Sequence, residues 1–282
     1  MEMRRGDIHE FMPPCLVPPH SRIIALVLSL AAFALAEPPA GYELKWSDEF
    51  NGGKLDLEKW KHWLPGKRRD AVNTADAVSV ADGKLTITTY TEGGQNFTGM
   101  VSTEGKFERA FGYWEARIQW GDVPGTWSAF WTISAPMMLP HMGEHIGNVE
   151  KAGNEVDFVE HRGVDEEGKY MAGKANFTLH WDGYAAHRNG SGFLTEDLKL
   201  DEGFHIYGCE WSEGGYRFFI DGKLLWETRG PVSKRPQFTI LSTEVDNQSW
   251  AWRIPKEGYG DRASSKVKMV VDYVRIYAMP AR

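Results

Sequence analysis

FHIYGCEWSEGGYRFFIDGKLLWE, residues Phe204 to Glu227, is written in short runs that alternate apolar and polar side chains and break at Glu213-Gly214-Gly215 and at Asp221-Gly222. A period of two is that of a strand, whose side chains point to opposite faces in turn. Gly-Gly and Asp-Gly pairs close hairpins because they accept a positive φ. The stretch therefore reads as a three-strand antiparallel meander. The same rhythm recurs outward from it: in KLTITTY (84–90), in YWEARIQW (113–120), where Trp114, Ala116, Ile118 and Trp120 share one side and Glu115, Arg117 and Gln119 the other, and in KMVVDYVRIY (268–277). Apart from one apolar segment near the start, no run of twelve or more residues keeps a 3.6-residue period without a Gly or Pro. Many short strands, Gly-rich turns and no helices predict an all-β fold of two packed antiparallel sheets, a β-sandwich or jelly roll.

The chain has 282 residues, enough to bury a large core. From residue 37 to 282 no repeat, low-complexity tract or linker interrupts it, so one domain is expected there. The net charge of -7 makes nucleic acid a poor partner. Twelve Trp are more than a core demands and suit a groove that stacks flat ligands.

SRIIALVLSLAAFALAEPPAG (21–41) has an Arg22 flank, an apolar run from Ile23 to Ala36 and small residues at 34 and 36. It reads as a signal peptide over residues 1–36, cleaved after Ala36. The run is short of the ~20 residues that span a bilayer, so the expectation is a secreted protein, extracellular or periplasmic, with no membrane attachment after cleavage; an uncleaved apolar anchor is the alternative. Cys15 would leave with the signal, and Cys209 alone can form no internal disulfide. A monomer is expected.

The chemistry-bearing stretch is GNEVDFVEHRG (153–163), with Glu155, Asp157 and Glu160 inside six residues. On a helix, Glu155 and Asp157 would lie about 200° apart and Glu155 and Glu160 about 140° apart, so no helix face gathers all three. A strand gathers the first two, and Glu160 joins them if a β-bulge inserts one residue after Asp157. Two carboxyl groups facing one groove, roughly 5 to 5.5 Å apart, are what a retaining glycosidase needs: one attacks the anomeric carbon and the other protonates the leaving oxygen. An acid between them would repel charge on both neighbours and share a proton. The plain alternative is a charged solvent face on an edge strand.

WSDEFNGGKLDLEKW (46–60), GYWEARIQW (112–120), GTWSAFWTIS (125–134), NEVDFVE (154–160), FHIYGCEW (204–211) with FFIDGK (218–223), and VDYVRIY (271–277) resemble, in this order, the successive motifs of glycoside hydrolase family 16. The resemblance covers nearly all of the chain after the apolar segment. It implies a concanavalin-A-like jelly roll that hydrolyses internal β-glycosidic bonds with retention. The bulged E-x-D-x-x-E form is that of laminarinases, agarases, porphyranases and carrageenases, whereas lichenases lack the extra residue. It implies Glu155 as nucleophile, Glu160 as general acid/base and Asp157 as the modulator between them. It also implies substrate contacts for Trp127 and Trp131, which share a strand face with Ala129, for His180 on a neighbouring strand, and for Trp250 and Trp252 in a cleft loop. No organic cofactor is implied; a structural calcium ion is, held by Asp272 and by oxygens near Glu49. Ser242 stands where many laminarinases carry Asn, and Gly153-Asn154 precedes the nucleophile in place of Gly-Gly or Ser-Gly, so substrate identity transfers poorly. β-1,3-glucan is the first expectation and an algal galactan the second. Arg162, Arg188 and His187 are candidate partners for sulfate groups.

MLPHMGEHIGNVEKAG (138–153) looks like an insertion at the cleft rim. His141, Glu144 and His145 within it match the zinc-peptidase pattern H-x-x-E-H, but Pro140, Gly143 and Gly147 make the required helix poor. A carbohydrate-binding jelly roll without turnover is the rival reading from another class; it would have no need of two strong acids and a bulge.

Overall fold

A computed structural model describes residues 38–138, 146–184 and 186–280. The signal segment and the H-x-x-E-H stretch lie outside those residues. Two eight-stranded sheets dominate. The first runs Lys223–Thr228, Gly215–Ile220, His205–Ser212, Gly112–Gln119, Lys268–Ala278, Lys84–Thr88 and Val78–Ala81, with Glu43–Asp48 also paired to Lys268–Ala278. The meander is thus one edge of this sheet, in the order expected. The second sheet runs Asn189–Leu194, Asn176–Trp181, Glu155–Arg162, Thr126–Ile133, Gln237–Val245, Met100–Ser102 and Lys61–His62, with Glu108–Arg109 added on Gln237–Val245. All pairings in both sheets are antiparallel, and within the meander the short Gly-bearing turns make them so. Helical structure among the described residues is confined to short turns such as Val149–Ala152, none of them long and apolar enough to cross a membrane.

The core lies between the two sheets. Trp114 of the first sheet stacks on Trp211 at 5.5 Å between ring centroids and meets Phe158 of the second at 5.6 Å, while Phe130 meets Phe158 edge-on at 5.0 Å. These rings are fully buried, and removing one such ring would cost about 3–5 kcal/mol. Cys209 is buried among them as a free thiol. With the inner face of the second sheet committed to this core, its outer face is left for a ligand.

A small third sheet, Gly66–Arg68, Ala71–Asn73, Gln95–Thr98 and Tyr90–Glu92, flanks that outer face. Its tight turn places Arg69 in the left-handed region at φ 50°. Asp70 ties the turn to Gln237–Val245: its N–H donates to the Val245 carbonyl at 3.0 Å, and its carboxylate accepts from the Asn247 N–H at 2.8 Å. Two consecutive arginines are thereby aimed at the edge of the outer face.

Candidate active site

Strand register sets the floor of the site. Between Glu155–Arg162 and Thr126–Ile133 the pairing runs Glu155 with Ile133, Asp157 with Trp131, then Val159 with Phe130 and Glu160 with Ala129, passing over Phe158. On the other side it steps from Asp157 with Thr178 to Glu160 with Asn176. One residue is extra, which is a β-bulge. Val156, Phe158 and Val159 all enter the core, and Glu155, Asp157 and Glu160 all line one cleft of about 1040 Å³ on the outer face. The third acid is brought into step by sending two apolar residues in succession, Phe158 and Val159, to the buried side.

Neighbouring strands present their alternate residues to the same cleft: Trp127, Ala129 and Trp131; Asn176, Thr178 and His180; Ser242 and Glu244. Trp131 is fixed by an Nε1–H bond to Ser242 Oγ at 3.0 Å and by an edge contact with Trp63 at 5.6 Å. Trp127 and Trp250 meet edge-on at 5.8 Å, with Arg69 stacked on Trp127 at 5.0 Å and Arg162 on Trp250 at 4.2 Å. This flank is a row of flat faces propped by guanidinium groups.

Two of the acids are nearly closed off from solvent, Glu155 at 8 % and Asp157 at 3 % exposure, and Glu160 is half-buried. Thr178 Oγ1 donates to Glu160 Oε2 at 2.9 Å, and the Tyr184 hydroxyl donates to Glu155 Oε2. Asp157 Oδ2 has no hydrogen-bond partner among the described residues. Burial pushes all three carboxyl groups above the ordinary carboxylate range. For Glu155 the Tyr184 hydrogen bond opposes the rise and the charge of Glu160 adds to it. For Asp157 the charges of both glutamates add to burial and nothing opposes them. For Glu160, pushed up to about 7, the Thr178 hydrogen bond and Arg162 pull the other way. The set therefore keeps protons at neutral pH that free carboxylates would lose. Asp157, with no donor, holds one most firmly, while Glu155 and Glu160 each have a hydroxyl donor, Tyr184 and Thr178, that favours the charged form. His180 is pushed down by burial and by Arg188, so its ring is neutral there.

His180 Nε2 lies 3.8 Å from Glu155 Oε1 and 3.7 Å from Asp157 Oδ2. These three side chains bring one ligand atom each within 4.8 Å of one another and are, among the described residues, the group whose geometry could hold a metal ion. The calcium expectation fares differently. Asp272 Oδ2 accepts from Arg117 Nη1 at 2.7 Å, and both oxygens of Glu49 accept from Arg275 at 2.9 Å. Each of these two carboxylates is thus paired with its own guanidinium.

Other expectations also shift. Trp250 lines the cleft but Trp252 does not: in the left-handed region at φ 73°, its ring packs over Gly168, where a Cβ would lie 3.1 Å from it. Arg162 is buried behind Trp250, donating to its carbonyl and to Glu166 Oε2 at 3.0 Å, so it props the wall without lining it. His187 is exposed and outside the lining, while Arg188 lines the cleft and makes no ion pair among the described residues. The structure adds groups that the sequence pattern did not single out. Tyr184 is one. Glu244 is another, held by Arg68 Nε at 2.7 Å and Arg69 Nε at 3.3 Å. WDGY (181–184), a turn directly after the strand that bears His180, was the available signal for Tyr184.

A family model described as beta-porphyranase A-D, GH16 domain, matches residues 43–279. The chain is 27 % identical over 292 residues to beta-porphyranase B of Phocaeicola plebeius, covering 87 % of this chain and 88 % of that protein. It is 25 % identical over 278 residues to glucan endo-1,3-beta-glucosidase A1 of Niallia circulans, covering 84 % of this chain but only 38 % of that longer relative. The crystal structure of porphyranase B from Zobellia galactanivorans superposes with a TM-score of 0.66 at 23 % identity, over 84 % of this chain and 92 % of that one, a likeness of fold. With the jelly roll, the bulged acid strand and a family match over most of its length, the chain belongs to glycoside hydrolase family 16.

Proposed function

We propose that this chain is a secreted, endo-acting, retaining β-glycanase. The single observation that carries the reading is the bulge after Asp157, which turns Glu155, Asp157 and Glu160 onto the floor of one cleft walled by tryptophans. In the mechanism, Glu160 protonates the glycosidic oxygen while the ionised Glu155 attacks the anomeric carbon and forms a glycosyl ester. Water, losing its proton to Glu160, then releases the sugar with its configuration retained. Asp157, protonated between them, keeps a third charge out of the enclosure. Trp127, Trp131 and Trp250 offer faces on which sugar rings stack. The signal-like segment ahead of residue 43, where the family match begins, supports export.

The substrate proposed first is a neutral β-1,3-glucan. Five acids, Glu155, Asp157, Glu160, Glu244 and Asp246, line the cleft against three arginines, Arg68, Arg69 and Arg188. With Asp157 and Glu160 protonated, the three remaining carboxylates balance the three arginines, and Arg68 and Arg69 are already spent on Glu244 and Asp246, so Arg188 alone is left to meet a densely sulfated chain. A second reading, an algal galactan, is favoured by the porphyranase description of the matched family and by Arg188, which is placed to take a single anionic substituent.

Incubation with laminarin, mixed-linkage glucan, agarose, porphyran and carrageenan, with oligosaccharides separated by chromatography, tests the choice. Internal cleavage of laminarin is the expected result. Cleavage of agarose or porphyran alone would replace the first reading with the second, and binding without any cleavage would return the rival of a carbohydrate-binding module.

A further inference from the structure

We propose that Tyr184 is a further catalytic residue, whose hydroxyl favours the charged form of Glu155 before attack and the carboxylate's departure when the glycosyl-enzyme is hydrolysed. The proposal rests on Glu155 being the nucleophile. Among the described residues Tyr184 gives Glu155 its side-chain hydrogen bond, on Oε2, while His180 Nε2 stands at 3.8 Å from Oε1, beyond hydrogen-bond reach. Oε1 is thereby the oxygen left for the anomeric carbon.

The loop is built to deliver this hydroxyl. Asp182, buried and left-handed at φ 63°, accepts from the Gly147 N–H at 2.8 Å and from Asn189 Nδ2 at 3.0 Å, so both its oxygens are used to pin the turn. Gly183, at φ 78°, sends its N–H to Met137 Sδ at 3.3 Å. Tyr184 follows with 52 % of its surface exposed, yet its hydroxyl is turned inward onto a carboxylate that is 8 % exposed. A phenol at such a position would find water readily; here it is directed to a carboxyl group with no other side-chain donor among the described residues. Asp182 is the positioning residue of this arrangement.

The charge changes follow the bonds. In the first step Glu155 Oε1 bonds to the anomeric carbon, the bond to the leaving oxygen breaks, and that oxygen takes the proton of Glu160. The carboxylate becomes an ester, and the hydrogen bond from Tyr184 now meets a neutral carbonyl oxygen, which accepts more weakly. In the second step water bonds to the anomeric carbon, its proton passes to Glu160, and the ester bond's electron pair returns to Glu155. The Tyr184 bond regains its full strength as that charge returns, so it assists the second step.

Glu155 is faced by Asp157 and Glu160 on its own strand, His180 and Tyr184 from the adjoining strand and loop, Glu244 from Gln237–Val245 and Arg68 from the small sheet. Of these, Tyr184 is the donor to the charged form, so its loss makes the carboxyl harder to ionise. Tyr184→Phe, which removes one oxygen atom, is therefore expected to move the Glu155 titration midpoint upward in carboxyl ¹³C NMR of the free protein, a readout that needs no substrate. On laminarin, agarose and porphyran, compared with wild type on whichever is cleaved, kcat is expected to fall about 10- to 100-fold, KM to fall with it as the glycosyl-enzyme accumulates, and the acid limb of kcat/KM to shift to higher pH. An unchanged titration midpoint would overturn the proposal, as would wild-type kcat and acid limb in a variant of native thermal midpoint. Glu155→Gln, assayed beside it, separates the two failures: hydrolysis surviving in that variant would remove the nucleophile assignment itself, whereas an inactive Glu155→Gln with an unaltered Tyr184→Phe would remove only the role of Tyr184.

Discussion

Glu155→Gln is expected to lower polysaccharide hydrolysis by on the order of 10⁴-fold or more while leaving polysaccharide binding intact. An amide has no electron pair basic enough to form the glycosyl ester, so the double displacement loses its first bond. The variant keeps the shape of the side chain and an oxygen that can still accept from Tyr184. It also removes one of three carboxyl groups crowded into a buried site, where burial already disfavours charge, so thermal stability should be kept or raised. Affinity electrophoresis in the cleaved polysaccharide, beside a reducing-end assay, measures both halves of the expectation. Hydrolysis within tenfold of wild type would show that another group attacks.

Glu160→Ala is the second large effect, about 10²- to 10⁴-fold in kcat on a polysaccharide. The leaving sugar oxygen is a poor leaving group without a proton, whereas an aryl glycoside with an acidic phenol departs unaided, so the loss should shrink on such substrates. Azide should restore turnover of those substrates by attacking the glycosyl-enzyme in place of activated water, giving a product of retained configuration. The pH profile carries the same assignment. Burial pushes Glu160 up to about 7 against the pull of Thr178 and Arg162, and a general acid works only while protonated. Wild-type kcat/KM should therefore decline as pH rises through about 7, and that alkaline limb should be absent from Glu160→Ala. A limb of unchanged position in the variant would transfer the acid role elsewhere.

The acid strand and the meander were legible because their signals are local. The two-residue alternation on either side of Phe158 defines the faces, and the out-of-step Glu160 announces the bulge before any partner strand is known. Alternation put Trp127 and Trp131 on one strand face, and the family resemblance placed them and His180 at the cleft; each sits in a regular strand paired with the acid strand. Loop residues carry no such periodicity. Trp250 and Trp252 are indistinguishable in NQSWAW until the backbone takes a left-handed φ at Trp252 and turns that ring onto Gly168. Arg68 and Arg69 reach the cleft through a pairing with Glu244 some 176 positions away, which no local pattern encodes. The partners of the expected calcium residues were hidden for a related reason: the Asp272 and Glu49 carboxylates each meet an arginine from a distant part of the chain, Arg117 and Arg275.

The stereochemistry of the first product tests the central claim most directly. Anomeric proton signals followed by NMR during the first minutes of hydrolysis, before mutarotation, report which face of the sugar received water. Double displacement through Glu155 predicts that the new reducing end appears first as the β anomer, with the α signal growing later. An α anomer formed first would mean a single inverting attack by water and would contradict the account.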